Sequence, residues 1–149
     1  MFLQRAPLPQ WVAKGQAMAA AQRQAAEKEG DFALLGVGKS MEPFYRAGTA
    51  VVVHPTSYHM LRPGMAVVYA NNRGGYVAHM LMRKTERGWI AMGLNNAAPD
   101  SVFVTDRNLV GIIRHAFAAH ETEFLADAGT RLAAHQAATP AVRFLEDAP

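Results

Sequence analysis

Phe32-Ala33-Leu34-Leu35-Gly36-Val37-Gly38-Lys39-Ser40-Met41-Glu42-Pro43 is an apolar run that breaks into a turn around one hydroxyl. The first six residues read as a short buried strand. Gly38 permits backbone geometry that most residues resist, and Pro43 fixes a second bend. A serine in such a turn is rigidly held and open to a substrate, as a nucleophile must be. Taken alone, a turn serine is far more often structural.

Outward from this stretch the pattern repeats as short apolar runs between turn signals. The runs are Thr49 to His54, Met65 to Ala70, Tyr76 to Met82, Trp89 to Met92, Val102 to Val104 and Leu109 to Phe117. Pro55, Pro63-Gly64, Asn71 to Gly75, Gly88 and Asn95 to Pro99 punctuate them. Short, closely spaced strands predict a mainly β fold, an antiparallel barrel-like or sandwich core. Residues 10–29 are rich in Ala, Gln, Glu and Lys without proline, which predicts a helix closed by Gly30-Asp31. Glu121 to Ala138 reads as a second, alanine-rich helix. The expected organisation is an N-terminal helical arm (1–31), a β core (32–118) and a C-terminal helical tail (119–149).

The chain has 149 residues, half of them hydrophobic, which suits one globular domain with a modest core. Its net charge is +3, with the fifteen Lys and Arg residues scattered rather than clustered with aromatics, so no nucleic-acid partner is indicated. Cysteine is absent, which excludes disulfides, thiolate metal sites and cysteine catalysis. The apolar stretch Ala17 to Ala21 is far shorter than the ~20 residues of a membrane span. Met1 to Gln10 lacks the charged and apolar regions of a secretory leader. Without leader or span, the balance tilts toward the cytoplasm, although nothing fixes the compartment. The helical tails offer surfaces for self-association, and no feature selects an oligomeric partner.

A serine hydroxyl needs an adjacent base to take its proton. His79 lies in the alternating run Tyr76 to Leu81, where a strand aims it to the face opposite Ala78 and Met80. An imidazole, with its ordinary pKa of about 6.5, suits that role at neutral pH. A lone strand histidine is, however, more often satisfied by a backbone carbonyl. His54 and His59 flank the Pro55 turn, His115 and His120 are five apart, and His135 falls in the second helix. None shows the spacing of a helical zinc site, so neither a metal nor another cofactor is expected. A carboxylate that fixes the base's tautomer is the third requirement, and Asp100 is the candidate. Pro99-Asp100-Ser101 reads equally well as a turn in which Asp100 caps backbone amides.

Ser40-Met41-Glu42-Pro43, Gly48 with Val51-Val52-Val53, Arg62-Pro63-Gly64 with Val67-Val68-Tyr69, Val77-Ala78-His79, Gly93-Leu94-Asn95-Asn96 with Asp100, and Val110-Gly111 follow one another in order. This series resembles the signal peptidase I family, especially the endoplasmic-reticulum and archaeal branch that carries a histidine base. More distantly, it is similar to the self-cleaving LexA-type repressors, which share the fold and a Gly-x-Ser-Met turn. The resemblance spans roughly residues 32–117. It implies Ser40 as nucleophile, His79 as base and Asp100 as orienter, and it singles His79 out from the other histidines. The oxyanion turn is Gly38 to Ser40. The Ser40 N–H is the evident donor, and Gly38 carries no hydroxyl, so a second donor must come from elsewhere. Lys39 is too close in sequence to act as a strand-borne base, and Arg83-Lys84 reads as a solvated strand end. Met41 and Pro43 would shape the wall beside the nucleophile, where an extended peptide pairs with strand edges.

The chain also departs from the family pattern. Thr49, Met65 and Leu94 stand where aspartates are expected, and Met80 where arginine is usual. The leading expectation is therefore a serine endopeptidase of the signal peptidase type, cleaving peptide or protein substrates after small residues. Self-processing in the LexA manner, with Ala19-Ala20-Ala21 within reach of a flexible arm, is a second. The neutralised positions motivate a third, a non-catalytic peptide-binding or assembly module.

Overall fold

The computed structural model describes residues 5–36 and 38–119. Along the chain come β1 (Gln10–Val12), α1 (Ala17–Ala25), β2 (Phe32–Leu35), β3 (Ala50–His54), β4 (Ala66–Ala70), β5 (Tyr76–Thr85), β6 (Gly88–Met92) and β7 (Leu109–Ala119). The strands form one sheet in the order β2-β3-β7-β4-β5-β6, with β1 added beside the end of β7. Every pair is antiparallel except β1 with β7. The mainly β, antiparallel core read from the turn punctuation is the observed one.

β3 shows why the apolar runs are continuous rather than alternating. Val51 and Val53 face a core shared with Met41, Tyr45, Val68, Ala78 and Met80. Ala50 and Val52 face the alanines of α1, namely Ala17, Ala20, Ala21 and Ala25, together with Phe117. A strand covered on both faces has no solvent side to keep polar. The alanine face lets α1 lie close to the sheet without displacing it. A third cluster, around Val67, Tyr69, Val77, Leu81 and Trp89, fills the opposite side of β4 to β6. Alternation along β5 thus sets Val77, His79 and Leu81 on one face and Ala78 and Met80 on the other.

Three expectations change. The helix predicted over 10–29 forms only at Ala17–Ala25, because Gln10–Val12 pairs with Phe117–Ala119 and Gly15 at φ 80 breaks the chain between them. Trp11 and Val12 are themselves strand formers, and the end of β7 gives them an edge to pair with. Val102 to Val104 is not a strand but an isolated bridge from Val104 to Trp89. The Thr105–Asn108 turn cuts it short: Asn108 Nδ2 donates to the Phe103 carbonyl, and Asn108 Oδ1 accepts from Thr105 N–H. Ala19-Ala20-Ala21 lies inside α1, with Ala20 and Ala21 buried against the sheet, rather than on a flexible arm. The helix expected at Glu121 to Ala138 lies outside the described residues.

β7 binds β3 and β4 on its two sides. At Gly111 the approach is so close that a Cβ would sit 2.6 Å from the His54 carbonyl oxygen. Gly111→Ala is therefore expected to lower the unfolding free energy by about 1–3 kcal/mol, the usual cost of overpacking. Urea unfolding reads this directly, and an unchanged midpoint would contradict the packing.

Candidate active site

Ser40 stands on the turn that leaves the β2 end of the sheet, and His79 sits in the middle of β5. Ser40 Oγ and His79 Nε2 are 2.8 Å apart. The other ring nitrogen, Nδ1, lies 2.6 Å from Asp100 Oδ2. A carboxylate only accepts, so Nδ1 carries the proton and Nε2 is left to accept from the Ser40 hydroxyl. All three residues named from the sequence are brought into one hydrogen-bonded chain.

The sheet explains the convergence. Cross-strand register places His79 opposite Val67 and Val77 opposite Tyr69. Tyr69 is therefore a diagonal neighbour of His79 on the same face. Its hydroxyl donates to Asp100 Oδ2 at 2.7 Å. Asp100 N–H in turn donates to the Ala91 carbonyl at the β6 edge. The carboxylate is thus held by strand β4 and by the backbone of β6, while it orients a base on β5.

The turn Gly93-Leu94-Asn95-Asn96 clasps Ser40. Asn95 N–H donates to the Ser40 carbonyl at 2.6 Å, Asn95 Nδ2 donates to the Lys39 carbonyl at 2.9 Å, and Leu94 N–H points to Met41 Sδ at 3.4 Å. In a trans peptide the N–H points opposite to the C=O. Anchoring the Lys39 carbonyl therefore also fixes the direction of the Ser40 N–H. The position a Cβ on Gly93 would take lies 2.7 Å from Asn96 Nδ2, 2.9 Å from Ser40 Cβ and 3.0 Å from His79 Nε2. Only glycine leaves that space open between the three side chains. Asn96 is buried, and among the described residues neither end of its amide has a hydrogen-bond partner. Such a group ordinarily costs about 1–3 kcal/mol.

The remaining candidates fall in different places. Met41 is fully buried beneath the nucleophile, in the core cluster with Tyr45, and Pro43 is half-buried beside it. Burial pushes the Tyr45 phenol well up from its ordinary value, and its hydroxyl donates to the Pro7 carbonyl. Gly38 is half-buried and Lys39 exposed. Arg83 and Lys84 are exposed, with Lys84 Nζ over the Tyr58 ring. His54 makes its own contact with Asp31, at 2.6 Å, and takes no part in the Ser40–His79–Asp100 chain. Ser40 itself is 0 % exposed, where the sequence suggested an open hydroxyl. The clasp and the packed Met41 enclose it, so a substrate must displace part of this cover. Among the described residues no three His, Asp or Glu side chains converge to hold a metal ion. No helix among them is long and apolar enough to cross a membrane.

Tyr69, Gly93 and Asn96 received no role from the sequence. Tyr69 is found once β4 and β5 are paired in register, and Gly93 and Asn96 only from the turn's three-dimensional closure. A family model described as Peptidase S24-like matches residues 6–113, a span that includes Ser40, His79 and Asp100. No curated protein matches the chain.

Gly93→Ala tests the geometry. The added methyl is expected to part Ser40 from His79 and lower stability by about 1–3 kcal/mol. A crystal structure of the variant in which the Oγ to Nε2 distance stays at 2.8 Å would contradict the clasp as described.

Proposed function

The chain belongs to the Peptidase S24-like family, with the peptidase role that membership carries, and on that premise we propose that it is a serine endopeptidase using Ser40, His79 and Asp100. The observation that carries the reading is the unbroken hydrogen-bonded chain from Ser40 Oγ through the imidazole to Asp100. As Ser40 Oγ adds to the scissile carbonyl carbon, His79 Nε2 takes its proton and the carbonyl π pair moves onto oxygen. Asp100 supports the imidazolium through Nδ1–H, and Tyr69 helps to hold the carboxylate in place. Collapse of the intermediate re-forms the C=O bond and expels the amine, which leaves with the proton from His79. Water then attacks the acyl-serine by the same route, releasing a carboxylic acid and restoring Ser40.

The substrates proposed are extended peptides with small residues at the scissile bond, as in signal peptidases. Two features support this. β2 is an edge strand of the sheet and leads into the nucleophile turn, so a peptide strand added there would reach Ser40. Ser40 is also enclosed by its neighbours, a cover that a small side chain at the scissile bond would have to displace least. Processing of the chain's own residues is a variant of the same chemistry; Ala20 and Ala21 would first have to leave α1.

The full burial of Ser40 specifically favours a second reading, a peptide-binding module without turnover. The two readings part in one experiment. Wild type, Ser40→Ala and His79→Ala are each incubated with a diverse peptide library and the products read by mass spectrometry. Cleavage after small residues is expected in the wild type, and a loss of about a thousandfold or more in each variant. Equal product patterns in all three would sink the peptidase reading.

A further inference from the structure

We propose that Asn96 is a catalytic residue: its side-chain amide donates a hydrogen bond to the oxygen that becomes negative when Ser40 attacks. The proposal rests on the serine-peptidase reading above and adds a group to it.

An acyl-transfer transition state is stabilised by preorganised donors aimed at the developing oxyanion, and one peptide N–H alone is a weak provision. The Ser40 N–H has its direction fixed by the Asn95 grip on the Lys39 carbonyl. Gly38 and the exposed Lys39 put no neutral side-chain donor of their own beside it. The Asn96 amide is the side-chain group that the fold brings there. It meets Ser40 Cβ and His79 Nε2 around the single point where Gly93 lacks a Cβ, with Nδ2 2.7 Å from that point.

Asn96 is 8 % exposed, and among the described residues neither Nδ2 nor Oδ1 has a partner. Native proteins seldom leave a buried amide unsatisfied, and one kept beside a nucleophile is best explained by a partner that arrives with the substrate. The amide is also held in place. Asn96 N–H donates to the Gly93 carbonyl at 2.9 Å, closing the turn, and Asn95 ties the same turn to Ser40. Half a rotation about the last side-chain bond exchanges its oxygen and nitrogen. With no protein hydrogen bond to break, the amide can turn its N–H toward an oxyanion. A neutral donor suits this place better than a cation, because it leaves His79 free to accept the serine proton.

The test compares wild type, Asn96→Ala and Asn96→Asp on the peptide cleaved best by the wild type, with unfolding midpoints measured for each. A donor used only in the transition state predicts that Asn96→Ala lowers kcat about a hundredfold with KM within threefold. Asn96→Asp, isosteric but presenting acceptors, is expected to lose more; it decides the matter if the alanine variant does not fold. A peptide aldehyde, which forms the tetrahedral adduct with Ser40, should bind Asn96→Ala about a hundredfold more weakly. The uncleaved peptide should bind Ser40→Ala equally well with and without Asn96→Ala. A kcat within threefold of the wild type, or an effect confined to KM, would overturn the assignment while leaving the serine peptidase intact. Absence of Ser40-dependent cleavage in the wild type would overturn both.

Discussion

An imidazole can accept a proton from only one direction, and which nitrogen does so is decided by what the other one touches. In this protein the Nδ1–H of His79 is committed to Asp100, at 2.6 Å, and the lone pair on Nε2 consequently faces Ser40. If Asp100 turned away, Nδ1 and Nε2 would compete for the proton and the serine contact would no longer be a base contact. Much of the surrounding architecture serves that orientation. Tyr69 reaches the carboxylate from β4, and the Ala91 carbonyl of β6 takes the Asp100 backbone N–H. The base lies between them on β5, so three adjacent strands share the task of holding two atoms in place.

The nucleophile is held differently, by a turn rather than by strands. Gly93 to Asn96 grips the Lys39 and Ser40 carbonyls while Met41 anchors the turn in the core from below. This arrangement gives rigidity at the expense of access, since Ser40 is completely covered. The Ser40 hydroxyl and its cover therefore meet at one short loop. Its exposed residue is Leu94, an apolar side chain at the loop tip.

The sequence disclosed the β core through its turn residues, because Gly and Pro punctuate strands for reasons local to the backbone. It disclosed Ser40, His79 and Asp100 through ordered motifs, and their mutual distances are those of one connected site. What it concealed depends on pairing and closure. Gln10–Val12 opens a stretch of helical composition, but Trp11 and Val12 are themselves strand formers and the end of β7 offers them an edge. Val102 to Val104 has strand composition and is interrupted by the Asn108 side chain taking over a carbonyl. Tyr69 is largely core; only its hydroxyl has another task, visible once Val67 is set opposite His79. The enclosure of Ser40 and the position of the Asn96 amide arise from a turn folding back over a distant one, which no local pattern encodes.

The most direct test of the central claim asks whether Ser40 is an activated nucleophile, with no need for a substrate. A small fluorophosphonate ester is incubated with the wild type and with His79→Ala, and the adduct is located by peptide mass mapping. The account predicts one adduct, on Ser40, in the wild type and essentially none in the variant. Equal labelling of the two proteins, or an adduct on another residue, would contradict it.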